Sequence, residues 1–123
     1  RWLEPVALAR VAYAAAVERK ANDVRVLDVG RLTTVADYFV IASAPNKPHV
    51  QAIADNVIEK LERAGIRPHH VEGRGPATWL LLDFGSVIVH VFHEDMRAFY
   101  NLERLWGDAT VPDLDLLSPV SYN

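Results

Sequence analysis

The chain has 123 residues; half are hydrophobic and a quarter are charged, enough for the core of one domain and too few residues for two of ordinary size. Thirteen Lys and Arg against sixteen Asp and Glu give a net charge of −3, which argues against broad gripping of nucleic-acid phosphates. The absence of cysteine excludes disulfides, thiol nucleophiles, iron–sulfur clusters and Cys-ligated zinc.

The first predicted element is a helix over Pro5–Lys20. Pro5 suits a first helical turn, and Leu8, Val11, Ala12 and Ala15 share one face. Asn22-Asp23 breaks it. Val24–Val29 then reads as a strand, with Arg25, Leu27 and Val29 on one face and Val24, Val26 and Asp28 on the other. Tyr38–Ala42 is a continuous apolar run, the pattern of a strand buried on both faces and covered by helices on each side. Asn46 is the expected N-cap of the next helix, with Pro48 in its first turn and a stripe of Val50, Ile53, Ala54, Val57 and Leu61. Glu59 and Arg63 are spaced as a favourable i, i+4 pair, and Gly65 stands where a helix-closing glycine belongs.

A short segment, Ile66–Val71, leads into the loop Glu72-Gly73-Arg74-Gly75-Pro76. Thr78–Phe84 and Val87–Phe92 alternate as the two arms of an antiparallel hairpin about Gly85-Ser86. Thr78, Leu80, Leu82 and Phe84 share one face; Trp79, Leu81 and Asp83 share the other. Asp95 is the expected cap of a last helix over Met96–Trp106, closed by Gly107. The expected class is α/β, a single domain with a mixed β-sheet flanked by helices over residues 1–107, and a tail over 108–123. No apolar run approaches the ~20 residues of a membrane span, and no stretch reads as a signal peptide.

Catalytic patterns are sparse. Adjacent His69 and His70 point to opposite faces of an extended segment. His93-Glu94 begins like a zinc-binding helix, but Arg97 occupies the place of the second histidine. Gly73-Arg74-Gly75 lacks the third glycine of a dinucleotide loop and precedes a strand rather than a helix. Nucleotidyl transfer needs carboxylates paired on a strand to share a magnesium ion, and the hairpin offers only Asp83. What remains is an apolar and aromatic surface: Trp79 and Leu81, with Tyr100 from the last helix, would form an anchor for a partner protein.

Several segments together resemble the ribosomal silencing factors, or Iojap-like proteins. They are Thr34-Val35-Ala36-Asp37-Tyr38-Phe39-Val40-Ile41-Ala42-Ser43, Val50-Gln51-Ala52-Ile53-Ala54-Asp55, and Glu72-Gly73 followed by Trp79. Leu82-Asp83-Phe84-Gly85-Ser86-Val87-Ile88-Val89-His90-Val91-Phe92 and Arg97-Ala98-Phe99-Tyr100-Asn101-Leu102-Glu103-Arg104-Leu105-Trp106 complete the set. The match covers roughly residues 8–107. Ser86 stands where the family often has Asp, and the spacer Arg74–Thr78 differs from the family's polar spacers.

The resemblance implies a degenerate nucleotidyltransferase-like fold with no catalysis and no cofactor or metal. It implies binding to the large ribosomal subunit through ribosomal protein fourteen, at the face that meets the small subunit. Subunit joining would be blocked sterically and translation repressed under nutrient limitation. Carried onto this sequence, the partner-binding residues are Trp79 and Leu81, with Asp83, Arg97 and Tyr100, while Glu72 and Gly73 shape the adjoining loop. The resemblance also implies a homodimer in the cytoplasm, with no DNA or membrane partner. The competing reading is a nucleotidyltransferase-like enzyme or phosphohydrolase with cryptic activity near Ser43, Asp83 and His90.

Overall fold

The computed structural model describes residues 2–101, with the side chains of residues 98–100 outside that description. The order of elements is α1 (Pro5–Glu18), β1 (Asn22–Asp28), β2 (Tyr38–Ala44), α2 (Lys47–Arg63), β3 (His70–Glu72), β4 (Trp79–Asp83), β5 (Val87–His93) and α3 (Glu94–Tyr100). Together these make the single α/β domain with a mixed sheet that the patterning predicted.

The strands form one five-stranded sheet in the order β1-β2-β5-β4-β3. β2 and β5 run parallel at its centre, and every other pairing is antiparallel. The parallel pair is joined through α2 and the β3–β4 arm, since parallel neighbours need a crossover. The continuous apolar run of β2 is explained by this position: Phe39–Ala44 are all buried.

Alternation sorts the side chains into two cores. Val26, Val40, Ala42, Leu80, Leu82, Val87, Val89 and Val91 face α1 and α2, meeting Leu8, Val11, Ala12, Ala15, Val50, Ile53, Val57 and Leu61. The opposite face carries Leu27, Val29, Ala36, Phe39, Ile41, Ile88 and Phe92, with Trp79, Leu81 and Met96 packed against them. Among the described residues, both long helices lie on one side of the sheet, and Met96 of α3 is the helical contribution to the other.

The helix ends follow local chemistry. Asn46 caps α2 by accepting from the backbone N–H of His49 at 2.9 Å, as expected. At the other end Gly65 has φ +85° and its N–H reaches Glu62 O, while Ile66 N–H reaches Leu61 O. That pair of bonds is a Schellman closure, which needs the left-handed residue glycine supplies. Glu59 and Arg63 meet at 2.7 Å.

The last helix departs from expectation. α3 begins at Glu94, and its cap is His93, whose Nδ1 accepts from the N–H of Asp95 at 3.3 Å. The predicted cap Asp95 instead lies in the first turn. The predicted run to Trp106 ends early, because Asn101 adopts a left-handed conformation after Tyr100. The residues from Leu102 onward, including Leu105, Trp106 and the proposed tail, lie outside the described residues. No helix among the described residues is long and apolar enough to cross a membrane.

Candidate partner-binding site

The register of the sheet builds the site. Across β2, β5 and β4, Ile41 pairs with His90 and His90 with Leu81; two residues along, Ser43 pairs with Phe92 and Phe92 with Trp79. Trp79 is thus directly opposite Phe92 and diagonal to His90, within reach for aromatic rings. The rings of Trp79 and Phe92 stack at 5.1 Å with 27° between planes. His90 lies edge-on to Phe39 at 4.9 Å and 5.9 Å from Trp79. Both rings flanking His90 are apolar bodies, so the imidazole sits in low dielectric.

His90 is 4 % exposed. Burial pushes its pKa down to about 4, so it is neutral at pH 7. Trp79 donates its indole N–H to His90 Nδ1 at 3.1 Å. A neutral imidazole that accepts at Nδ1 carries its proton on Nε2. Nε2 is buried and has no hydrogen-bond partner among the described residues.

Trp79 itself is half-buried, neither free on the surface nor enclosed, and Leu81 beside it is also half-buried. The sequence expectation that these two share the face away from Leu80 and Leu82 agrees with the two clusters. Asp83 lies on the same face, but its Oδ1 accepts from the N–H of Gly85 at 2.8 Å and so orders the β4–β5 turn. Glu72 is exposed on β3 opposite Leu81, with a carboxylate oxygen 3.3 Å from His70 Nε2. Gly73 has φ +88°, and a Cβ there would stand 2.0 Å from the carbonyl oxygen of Trp79.

Arg97 was expected at the contact surface and is instead 8 % exposed. Its Nη1 donates to Asn22 O at 3.2 Å and to Ser43 Oγ at 3.1 Å, and Nη2 lies 3.5 Å from Asp23. Ser43 in turn donates to Asn22 O, and Asn22 Nδ2 donates to Glu94. The guanidinium therefore ties α3 to the β1–β2 edge. Tyr100 ends α3, and its side chain lies outside the described residues.

The structure thus gathers Trp79, Leu81, Asp83 and Glu72 on adjoining strands, with Gly73 against the Trp79 carbonyl and Arg97 buried against Asn22 and Ser43. Sequence reasoning missed His90 as the partner of Trp79. The signal was present: on an antiparallel hairpin closed at Gly85-Ser86, positions 79 and 90 fall on one face as diagonal neighbours. Among the described residues no group of three or more His, Cys, Asp or Glu is arranged to hold a metal ion.

Comparison with known proteins finds relatives along most of the chain. The family model described as ribosomal silencing factor during starvation matches residues 3–122, extending through the segment set apart as a tail. The ribosomal silencing factor RsfS of Bacillus subtilis is 44% identical over 106 residues, covering 86% of this chain and 90% of that protein. The chloroplastic protein Iojap of Zea mays is 40% identical over 100 residues, covering 81% of this chain and 43% of that protein. A crystal structure of a Chromobacterium violaceum protein superposes with TM-score 0.83 at 32% identity, covering 90% of this chain and 92% of that one. A second, from Bacillus halodurans, gives 0.71 at 40% identity, covering 78% and 90%. With the fold, the ordered segments and a match along nearly its whole length in agreement, the chain belongs to the family of ribosomal silencing factors.

Proposed function

We propose that this protein silences translation by binding the large ribosomal subunit through ribosomal protein fourteen and occupying the surface where the small subunit would join. The mechanism is steric and involves no chemical conversion. It acts in the cytoplasm, where the body of the domain needs only to stay bound longer than an encounter between subunits lasts.

The observation that supports the docking site is the state of Trp79. Its one polar group is satisfied by His90 inside the protein. The surface that Trp79 and Leu81 leave half-exposed is therefore apolar, and a partner can cover it without stranding a donor. Half-buried aromatic residues held in a fixed orientation are the usual centres of binding energy at protein interfaces. The family membership supplies the target class, and this patch supplies a place to hold it.

The test is co-sedimentation of the purified protein with isolated ribosomal subunits, followed by light scattering as small subunits are added. The expected result is pelleting with large and not small subunits, and slowed joining. Equal joining rates with and without saturating protein would sink the proposal. Magnesium nucleotide is added in a parallel arm; thermal stabilisation by it would favour the enzymatic reading instead.

A further inference from the structure

We infer that His90 is a positioning residue for Trp79: it holds the indole N–H at Nδ1 and thereby fixes which edge of the indole is offered for docking. This rests on the docking role proposed above for Trp79.

The geometry carries it. Trp79 sits on β4 opposite Phe92, two residues along from His90 on the central strand β5. The indole is clamped from two directions, by stacking on Phe92 at 5.1 Å and by the hydrogen bond to His90 at 3.1 Å. Stacking alone tolerates a half-turn of the indole about its Cβ–Cγ bond, which keeps the ring plane and exchanges the edges it presents. The hydrogen bond removes this freedom.

The imidazole is itself held. Phe39 meets its edge at 4.9 Å, Phe92 lies parallel to it at 6.3 Å, and the residue is almost wholly buried. None of the described residues bonds its Nε2. An apolar residue at the centre of this face would avoid that unsatisfied group, and buried polar groups are ordinarily paired. The histidine therefore costs the fold stability, and among the described residues the polar contact its ring makes in return is to Trp79. This is the pattern expected where function rather than stability selects the side chain.

Two variants separate the roles. His90→Phe keeps a ring of similar size and removes both the acceptor and the unsatisfied nitrogen. His90→Asn keeps an acceptor at the place of Nδ1 and loses most of the ring. The expected result is a crossing. His90→Phe melts at or above the wild-type temperature, yet binds large subunits roughly three- to tenfold more weakly, the range expected for one lost hydrogen bond. His90→Asn melts lower, yet binds closer to wild type at a temperature where it is folded. In the free protein, the Trp79 indole N–H exchanges slowly with solvent in the wild type and faster in His90→Phe.

Wild-type affinity in His90→Phe would overturn the inference, as would losses of binding that simply follow losses of melting temperature in both variants. Failure of the wild-type protein itself to pellet with large subunits would overturn the docking reading and this role with it. That result is distinguishable because it precedes any substitution.

Discussion

Gly73 and Trp79 are in backbone contact so close that no side chain fits between them. A Cβ on Gly73 would lie 2.0 Å from the Trp79 carbonyl oxygen, and the residue's φ of +88° is itself a conformation that other residues resist. The carbonyl of Gly73 also accepts from Ala77, which closes the loop leading into β4. The loop and the aromatic anchor are thus a single unit.

Gly73→Ala is accordingly expected to destabilise the protein by at least about 2 kcal/mol, combining left-handed strain with displacement of backbone. Gly75, two positions on, has open space around its Cα. Gly75→Ala should stay within about 0.5 kcal/mol of wild type. Urea unfolding of the two variants checks the pair, and similar midpoints would contradict the contact.

Trp79→Ala should weaken binding to large subunits by roughly thirtyfold, the effect of losing about 2 kcal/mol at an interface anchor. Because the indole also stacks on Phe92 and packs into the second core, stability falls as well. Trp79→Phe keeps a stacking ring but leaves the buried Nδ1 of His90 without its donor, so it should lose about 1–3 kcal/mol of stability and bind with intermediate strength. Binding measured against the folded fraction distinguishes the two effects; undiminished binding in Trp79→Ala would remove this residue from the contact.

The parts of the fold legible in the sequence are those written in local periodicity. The alternation from Trp79 to Phe92 sorted Leu80 and Leu82 from Trp79 and Leu81 correctly, because a strand's period of two leaves no freedom once one face is core. Asn46 and Gly65 were legible because caps depend on a residue's own chemistry. The parallel pairing of β2 with β5 was not, since it depends on how α2 packs and no short segment encodes it. His93 was passed over as a cap because Asp95 is the commoner capping type, while the strand runs one residue further than its apolar pattern. Arg97 was placed at the contact by the family resemblance alone; its burial was not legible, because the groups that bury it, at Asn22, Asp23 and Ser43, are remote in sequence.

That burial makes Arg97 a test of tether against contact. Its guanidinium satisfies a backbone carbonyl and a buried serine hydroxyl while lying near the Asp23 carboxylate. Arg97→Ala should cost about 2–4 kcal/mol of stability through the buried groups left unpaired and the packing lost from its stem. At a temperature where the variant remains folded, its affinity for large subunits should stay within about threefold of wild type, a shift below 1 kcal/mol. A large loss of affinity with an unchanged melting temperature would return Arg97 to the contact surface.

The buried imidazole gives the fold a pH dependence of known sign. Burial lowers the folded pKa of His90 from 6.5 to about 4. Above pH 6.5 neither the folded nor the unfolded state protonates it, and its contribution to the pH slope is nil. Between pH 6.5 and 4 the unfolded chain takes up a proton that the folded chain refuses, so stability falls by about 1.4 kcal/mol per pH unit as acid is added. The loss reaches roughly 3 kcal/mol by pH 4. Asp23, held below its ordinary value first by its hydrogen bond to Arg25 and also by the charge of Arg97, adds a further loss only at lower pH. His90→Phe deletes the histidine contribution and should flatten the slope between pH 6.5 and 4.5. Denaturant unfolding of both proteins at intervals across that range measures it; parallel slopes would mean that the imidazole is protonated inside the folded protein, and that Nδ1 does not stay available to the indole as the pH falls.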